Sequence, residues 1–318
     1  MKNLWRILSV LVVLVLIIGF ALHEDEEESG LWEFYENTLT KAKYVDLTFA
    51  FNPTIPVWPG FGQAKFMPTK AGADIPGYVK KGDVYTYKQH GFIATSYFLP
   101  TDQYGTQLDP PAHWDEYGAT ISDLPPTYAV RPLVVINIAD KVASNPGYHC
   151  SVEDIKNWEA KHGKIPEGSV VMIRSDWHKK WTTDPDRYNQ KPFPGITLDA
   201  IKFLHNERKI LFHGHEPLDT DTTATLEGEY WLMHNHFCQA EGVTNLDKVP
   251  EAGALVAIGF AKPEGGTGGY ARYVAICPPD WKYGVSVEEM PGAPLPKQPA
   301  PLRRDENGVL KPFVEKQK

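Results

Sequence analysis

Two hydrophobic periods alternate along this chain. "RPLVVINIADKV" (131–142) and "GSVVMIRSDW" (168–177) are continuous apolar runs of strand length, the pattern of strands buried on both faces. "ILFHGHEPLD" (210–219), "ALVAIGFAK" (254–262) and "YARYVAICPP" (270–279) predict three more strands. Between them lie helical patterns. "SVEDIKNWEAKHG" opens on Ser151 with Asp154 three residues on, a capping-box start, and stops at Gly163. "TLDAIKFLHNERK" (197–209) and "LEGEYWLMHNHF" (226–237) predict two further helices. Upstream, "YVDLTFAFNPTIPVWPG" (44–60) has strand character interrupted by Pro53, Pro56 and Pro59, and "DVYTYKQHGFIATSYFLP" (83–100) alternates enough for two strands. Strands cluster early and alternate with helices in the middle. That order predicts a mixed α/β domain with a partly antiparallel layer.

The ends differ from the middle. "MKNLWRILSVLVVLVLIIGFAL" carries Lys2 and Arg6 before an apolar run to Leu22, and "HEDEEESG" follows. Positive before and acidic after predicts a signal peptide or membrane anchor over 1–22, with the remainder on the extracytoplasmic side. Residues 23–43 read as a lead-in helix and 44–289 as the main domain. The Pro-rich stretch 290–318 reads as an extended tail, either lying across the domain or loose.

Composition narrows the function. The chain has 318 residues, 23% of them charged, and a net charge of -8, with no run of Lys or Arg. Nucleic acid is therefore not an expected partner, and the membrane is met only through the N-terminal segment. Cys150, Cys238 and Cys277 have no metal spacing and read as buried thiols. "PEGGTGGYAR" (263–272) lacks the Lys-Ser/Thr of a phosphate loop and reads as a mobile rim. Ser175 has no base nearby in sequence and no nucleophile elbow surrounds it.

The candidate chemistry lies in "DQYGTQLDPPAHW" (102–114). Gln103, Gln107 and Asp109 sit close together, and two prolines fix the path from Asp109 to His113. A metal site and a polar loop ending a strand both fit these residues. His213 and His215, two apart on one strand, face the same way and are candidates for the same pocket, with Glu216 and Asp219 beside them. His234 and His236 cannot share a helix face and read as structural or surface residues.

With Gly105, Thr106, Asp109, a proline and His113 in order, the segment resembles the cyclase-family signature His-x-Gly-Thr-His-x-Asp-x-Pro-x-His, carried by bacterial kynurenine formamidases, isatin hydrolases and related amide and lactone hydrolases. Four other segments are similar in order: 45–60, 168–181, 192–204 and 214–221, and "AEGVTNLDKV" (240–249) matches the Glu-x-x-x-Asn-Leu ending. The resemblance implies a swivelling β/β/α domain, usually a dimer or tetramer, and a metal-dependent hydrolase of a small amide, lactone or cyclic substrate in which metal-activated water attacks a carbonyl. It also locates the departures. Gln103 and Gln107 stand where the family has two His, and Glu229 where it has a helix His; Asp109, His113 and Glu241 are retained.

The implied ligands are Gln103, Gln107, Asp109 and His113, with His113, Glu241 and Glu229 as the catalytic set and Trp58 and Trp114 as walls for a flat substrate. Oxygen in place of imidazole favours Mn²⁺ or Mg²⁺ over Zn²⁺, with Mn²⁺ first. A retired enzyme that binds a ligand without turnover is the other reading of the lost imidazoles.

Overall fold

A computed structural model describes residues 30–314. The proposed signal or anchor over 1–22 lies outside the described residues, and no described helix is long and apolar enough to cross a membrane. Eight strands form the main sheet: β1 Lys43–Asp46, β2 Gln107–Asp109, β3 Val130–Asn137, β4 Val170–Arg174, β5 Phe212–His215, β6 Cys238–Glu241, β7 Ala254–Phe260 and β8 Gly269–Cys277. Their order is β1-β8-β7-β3-β4-β5-β6-β2, and β2 also pairs with β8. That last pairing closes seven strands into a barrel, with β1 added on the far end of β8.

β3, β4, β5 and β6 are parallel neighbours in chain order. Each parallel step needs a crossover, and the predicted helices supply them. These are α1 Val152–His162, α2 Leu198–Lys202 and α3 Glu227–His234, all outside the barrel. Alternation along each strand builds two cores. Leu133, Val135, Val170, Met172 and Ala240 point into the barrel. Val134, Ile136, Val171 and Ile173 point out against Ile155, Trp158, Ile201 and Leu232 of the helices. Burial on both sides explains the continuous apolar runs of β3 and β4. Ser151 caps α1 through the predicted box with Asp154. All three cysteines are buried and free, as the lack of any metal spacing implied.

Four local expectations are corrected. Of the two strands expected over 83–100, only Thr95–Phe98 forms, paired with Lys65–Pro68. Tyr87–His90 is a helical turn instead, because Thr86 caps Gln89 N and Gly91 takes φ 78. The second predicted helix is α-helical only over Leu198–Lys202, then widens to a π turn over Phe203–Glu207; the lead-in helix does the same at Leu31–Phe34 and Tyr35–Leu39. The tail is not simply extended: Leu302–Arg304 and Leu310–Pro312 form a hairpin. Asp305 organises its turn by accepting from Asn307 N and Val309 N, and Arg304 fastens it to Ala94 O and Thr95.

Candidate active site

Strand register assembles the site. Gln107 pairs with Glu241, and Asp109 with Gln239, across antiparallel β2 and β6. His213 pairs with Gln239 across parallel β6 and β5, so His215 lies beside Glu241. Residues two apart on a strand share a face, so six polar side chains form a grid of two rows on the outer face of the barrel. Leu108 and Ala240, between them, face the inner core. α3 packs over the grid and brings down Glu229, with the 3-10 turn Pro111–His113 alongside.

The grid is closely hydrogen-bonded. Gln107 Nε2 donates to Glu241 Oε2 at 2.9 Å and Asp109 Oδ2 at 3.2 Å. Gln239 Nε2 donates to Glu241 Oε1 and Glu229 Oε1, each at 3.0 Å, and its Oε1 accepts from Thr220. The Trp114 indole donates to the same Glu229 oxygen at 3.0 Å. Glu229 is only 3% exposed. It therefore belongs to the site and is not a solvated helix-start carboxylate. Burial pushes Glu229 and Glu241 well above the usual carboxylate range; Asp109 and Asp219 add to both shifts, and Glu229 adds to that of Glu241. Burial also raises Asp109 to about 7, against its hydrogen bonds from Gln107 and Gln239.

Gln103 departs from its expected role as a ligand. Its Nε2 donates to Thr267 O at 3.0 Å and meets His113 Nδ1 at 3.2 Å, while its Oε1 accepts from Thr101. An amide N–H can only donate, so His113 Nδ1 is the acceptor and its Nε2 carries the proton. That Nε2 stands 3.8 Å from Glu229 Oε1. Burial lowers the His113 pKa, which keeps the ring neutral near pH 7. Gln103 thus sets the His113 tautomer. We expect Gln103→Leu to cut turnover about tenfold while melting within a few degrees of wild type, with a shifted acid limb in the pH–rate profile. An unchanged pH profile would count against the tautomer role.

The glycine-rich loop that presents Thr267 is a clamp, not the expected mobile rim. Asp102 accepts from Thr267 N at 2.8 Å and Gly268 N at 2.9 Å, and a Cβ on Gly268 would fall 2.6 Å from Gln103 Nε2. On the other side, Thr106 donates to Gly242 O at 2.6 Å, and a Cβ on Gly242, at φ 63, would lie 3.0 Å from Gly105 O.

Above the grid opens a cavity of about 380 Å³. Val57, Trp58, Phe61, Trp114, Leu218 and Leu226 give it apolar walls, and Gln103, Gln107, His113, Asp219, Glu229 and Glu241 supply its polar groups. Trp58 and Trp114, expected as substrate walls, both line this cavity. His213 and His215 do share a face, but neither lines the cavity. They lie behind it, fully buried, with His215 Nε2 3.2 Å from Glu241 Oε1 and His213 stacked on His215 and edge-on to His205. Burial holds His215 down at about 3, so it is a neutral support for Glu241 and not a wall of the pocket. Gln239 was missed; its one signal is the two-residue step to Glu241. His234 and His236 are exposed, as expected.

Two atoms test whether a cation fits. Gln107 Oε1 and Asp109 Oδ1 are buried and accept no hydrogen bond. Unpaired lone pairs of this kind are costly unless a cation or ordered water meets them, and oxygen donors suit a hard divalent ion. These residues fit such an ion; His113 Nδ1 and Gln103 Oε1, both engaged elsewhere, do not add to the donors. A second group, Asp176, His178 and Glu216, brings one ligand atom from each within 4.8 Å. Its carboxylates already accept from protein donors, Asp176 from Arg174 and Lys179, and Glu216 from Ser175 at 2.7 Å and His178 at 2.9 Å. It reads as a buried brace for Ser175, which the sequence left without a partner.

The barrel, its outer polar grid and the Gly-Thr-x-x-Asp turn define a known class. Residues 45–222 match the family described as putative cyclase, and the chain belongs to that family. Among curated proteins, an isatin hydrolase of Roseibium aggregatum is 31% identical over 201 residues, covering 59% of this chain and 76% of that protein. Among solved structures, isatin hydrolase A from Labrenzia aggregata bound to benzyl benzoate superposes with a TM-score of 0.66 at 26% identity, covering 78% of this chain and 98% of that one. An isatin hydrolase bound to the product analogue thioisatinate gives 0.67 at 25% identity, covering 79% and 97%.

Proposed function

We propose that the protein is a metal-dependent hydrolase that opens a small aromatic amide, lactam or lactone. The observation that carries this reading is the aromatic-walled cavity lined by Gln107, Glu229, Glu241 and a neutral His113, with the unpaired oxygen of Gln107 buried at that site. The relation to isatin hydrolases supports it. A divalent ion held by Gln107 Oε1 and Asp109 Oδ1 would polarise a carbonyl and lower the pKa of water. Trp58 and Trp114 would hold the ring of the substrate flat. Glu241 or Glu229, both held above the usual carboxylate range by burial, would take the proton from water and pass it to the leaving nitrogen or oxygen, with the neutral His113 Nε2–H as a hydrogen-bond donor to the substrate.

The test is a stripped sample reconstituted with Mn²⁺, Mg²⁺ or Zn²⁺ and offered isatin and aryl amides. We expect chelator-sensitive ring opening, fastest with Mn²⁺. Full activity with Zn²⁺ alone would overturn the oxygen-donor assignment. Intact ligand binding with neither metal nor turnover would favour the retired enzyme. The charge step around Leu22 and the family resemblance lead us to propose an exported homo-oligomer, dimer or tetramer. A reporter active only outside the cytoplasm, fused after residue 40, should be active; silence while a cytoplasmic reporter works would refute export.

A further inference from the structure

The charge in the cavity is one-sided. Its lining includes Asp219, Glu229 and Glu241, with Asp109 directly behind Gln107, and no Lys or Arg. His113, the remaining basic group, is held neutral by burial. A divalent ion at Gln107 and Asp109 would offset at most two of these four carboxyl groups.

Asp219 stands apart from the other three. No hydrogen bond joins it to the Gln107–Gln239 grid. Like the Trp58 ring, it lines the cavity wall. Lys191, the nearest cation acting on it, is committed to Thr222 O at 2.8 Å and Thr223 O at 3.3 Å and does not line the cavity. Burial accordingly leaves Asp219 raised to about 7, with Lys191 opposing it only in part. A cavity walled by both a carboxyl group and a tryptophan offers a cation a charged acceptor and a π surface.

We infer that the cavity selects an aromatic substrate bearing a basic nitrogen, with its ammonium group on Asp219 against Trp58, and that Asp219 is the residue that determines this specificity. The inference rests on the cavity being the substrate site, as proposed above. The other polar groups of the lining are taken up by the grid and the metal donors, which leaves Asp219 to recognise the part of the substrate remote from the reacting carbonyl.

Calorimetric titration of the Mn²⁺-loaded protein with benzylamine, protonated at neutral pH, and with neutral benzyl alcohol tests this without requiring turnover. We expect benzylamine to bind about tenfold or more tightly than the alcohol, the range of a charge-assisted hydrogen bond. In Asp219→Asn that preference should fall below about twofold while affinity for the alcohol stays within about twofold of wild type, which also shows that the pocket is intact. Equal affinities in wild type, no binding of either probe, or a preference that survives Asp219→Asn would each overturn the inference. Isatin hydrolysis without a cation preference removes this inference and leaves the hydrolase standing; a cation preference without hydrolysis does the reverse.

Discussion

Glu229→Gln should lower turnover by about 10² or more, the range of acid–base residues, with melting temperature and metal content close to wild type. The geometry makes this a clean substitution. Both donors to Glu229, the Trp114 indole and Gln239 Nε2, meet the same atom, Oε1. An amide can turn its oxygen to that position, keep both bonds and place its NH₂ where Oε2 was. What is lost is a charge and a site for a proton. Glu241→Gln should cost as much turnover but also stability. Both Glu241 oxygens are in use: Oε1 by Gln239 and His215, Oε2 by Gln107. Whichever way the amide turns, its NH₂ faces at least one donor, and a buried mismatch costs about 1–3 kcal/mol. Thermal melts and steady-state kinetics on the two variants separate these effects. Wild-type turnover in Glu229→Gln would return Glu229 to a structural role and leave the chemistry to Glu241 and His113.

Much of this site was legible as spacing, and little of it as proximity. Gln107-x-Asp109 and His213-x-His215 each announce side chains on one strand face. The sequence reading used the second, took Gln107 and Asp109 only as neighbours in the motif, and passed over the same step in Gln239-x-Glu241. Nothing local shows that Gln107 lies opposite Glu241, 134 residues away, because register is settled by the closure of the whole barrel. The same limit explains the misplacement of the histidines. Period two puts His213 and His215 on one face, but only the neighbouring strands determine that Gln239 and Glu241 stand between them and the cavity. Gln103 was taken for a ligand by its place in the motif; Thr101 and Thr267 turn its amide away, and Thr267 is 164 residues distant. The buried strands β3 and β4 and the cap of α1 were readable because hydrophobic period and capping are local signals. The tail hairpin was overlooked although "DENG" carries turn residues, since Pro-rich composition outweighed a four-residue signal.

The metal-free protein should melt highest near pH 6.5 and lose about 5–10 °C by pH 8, and Mn²⁺ should remove that loss. Two sets of buried groups oppose each other. Asp109 and Asp219 are raised by burial from 3.8 to about 7, and Glu229 and Glu241 well above 4.5. Folded carboxyls of this kind hold protons that the unfolded chain has released. Their contribution is complete below about pH 4 and is lost as pH rises through their folded values. His113, His205, His213 and His215 are lowered by burial from 6.5. Their contribution is complete above about pH 6.5 and is lost as pH falls, because the unfolded chain then binds protons that the folded one refuses. Between about pH 4.5 and 6.5 the two sets largely cancel. Above 6.5 the imidazoles no longer differ between the two states, and the carboxyl set acts alone, worth a few kcal/mol in total. Carboxylates with lowered pKa, such as Glu289 at about 2, change only below this window. A divalent ion binds the ionised carboxylates, so its stabilisation should grow with pH where the metal-free protein weakens. Melting curves at half-unit steps from pH 5 to 8, with chelator and with Mn²⁺, read both effects. A metal-free melting temperature that rises steadily to pH 8 would mean that these carboxyls are ionised in the folded protein, and that the grid is not the proton-holding cluster described.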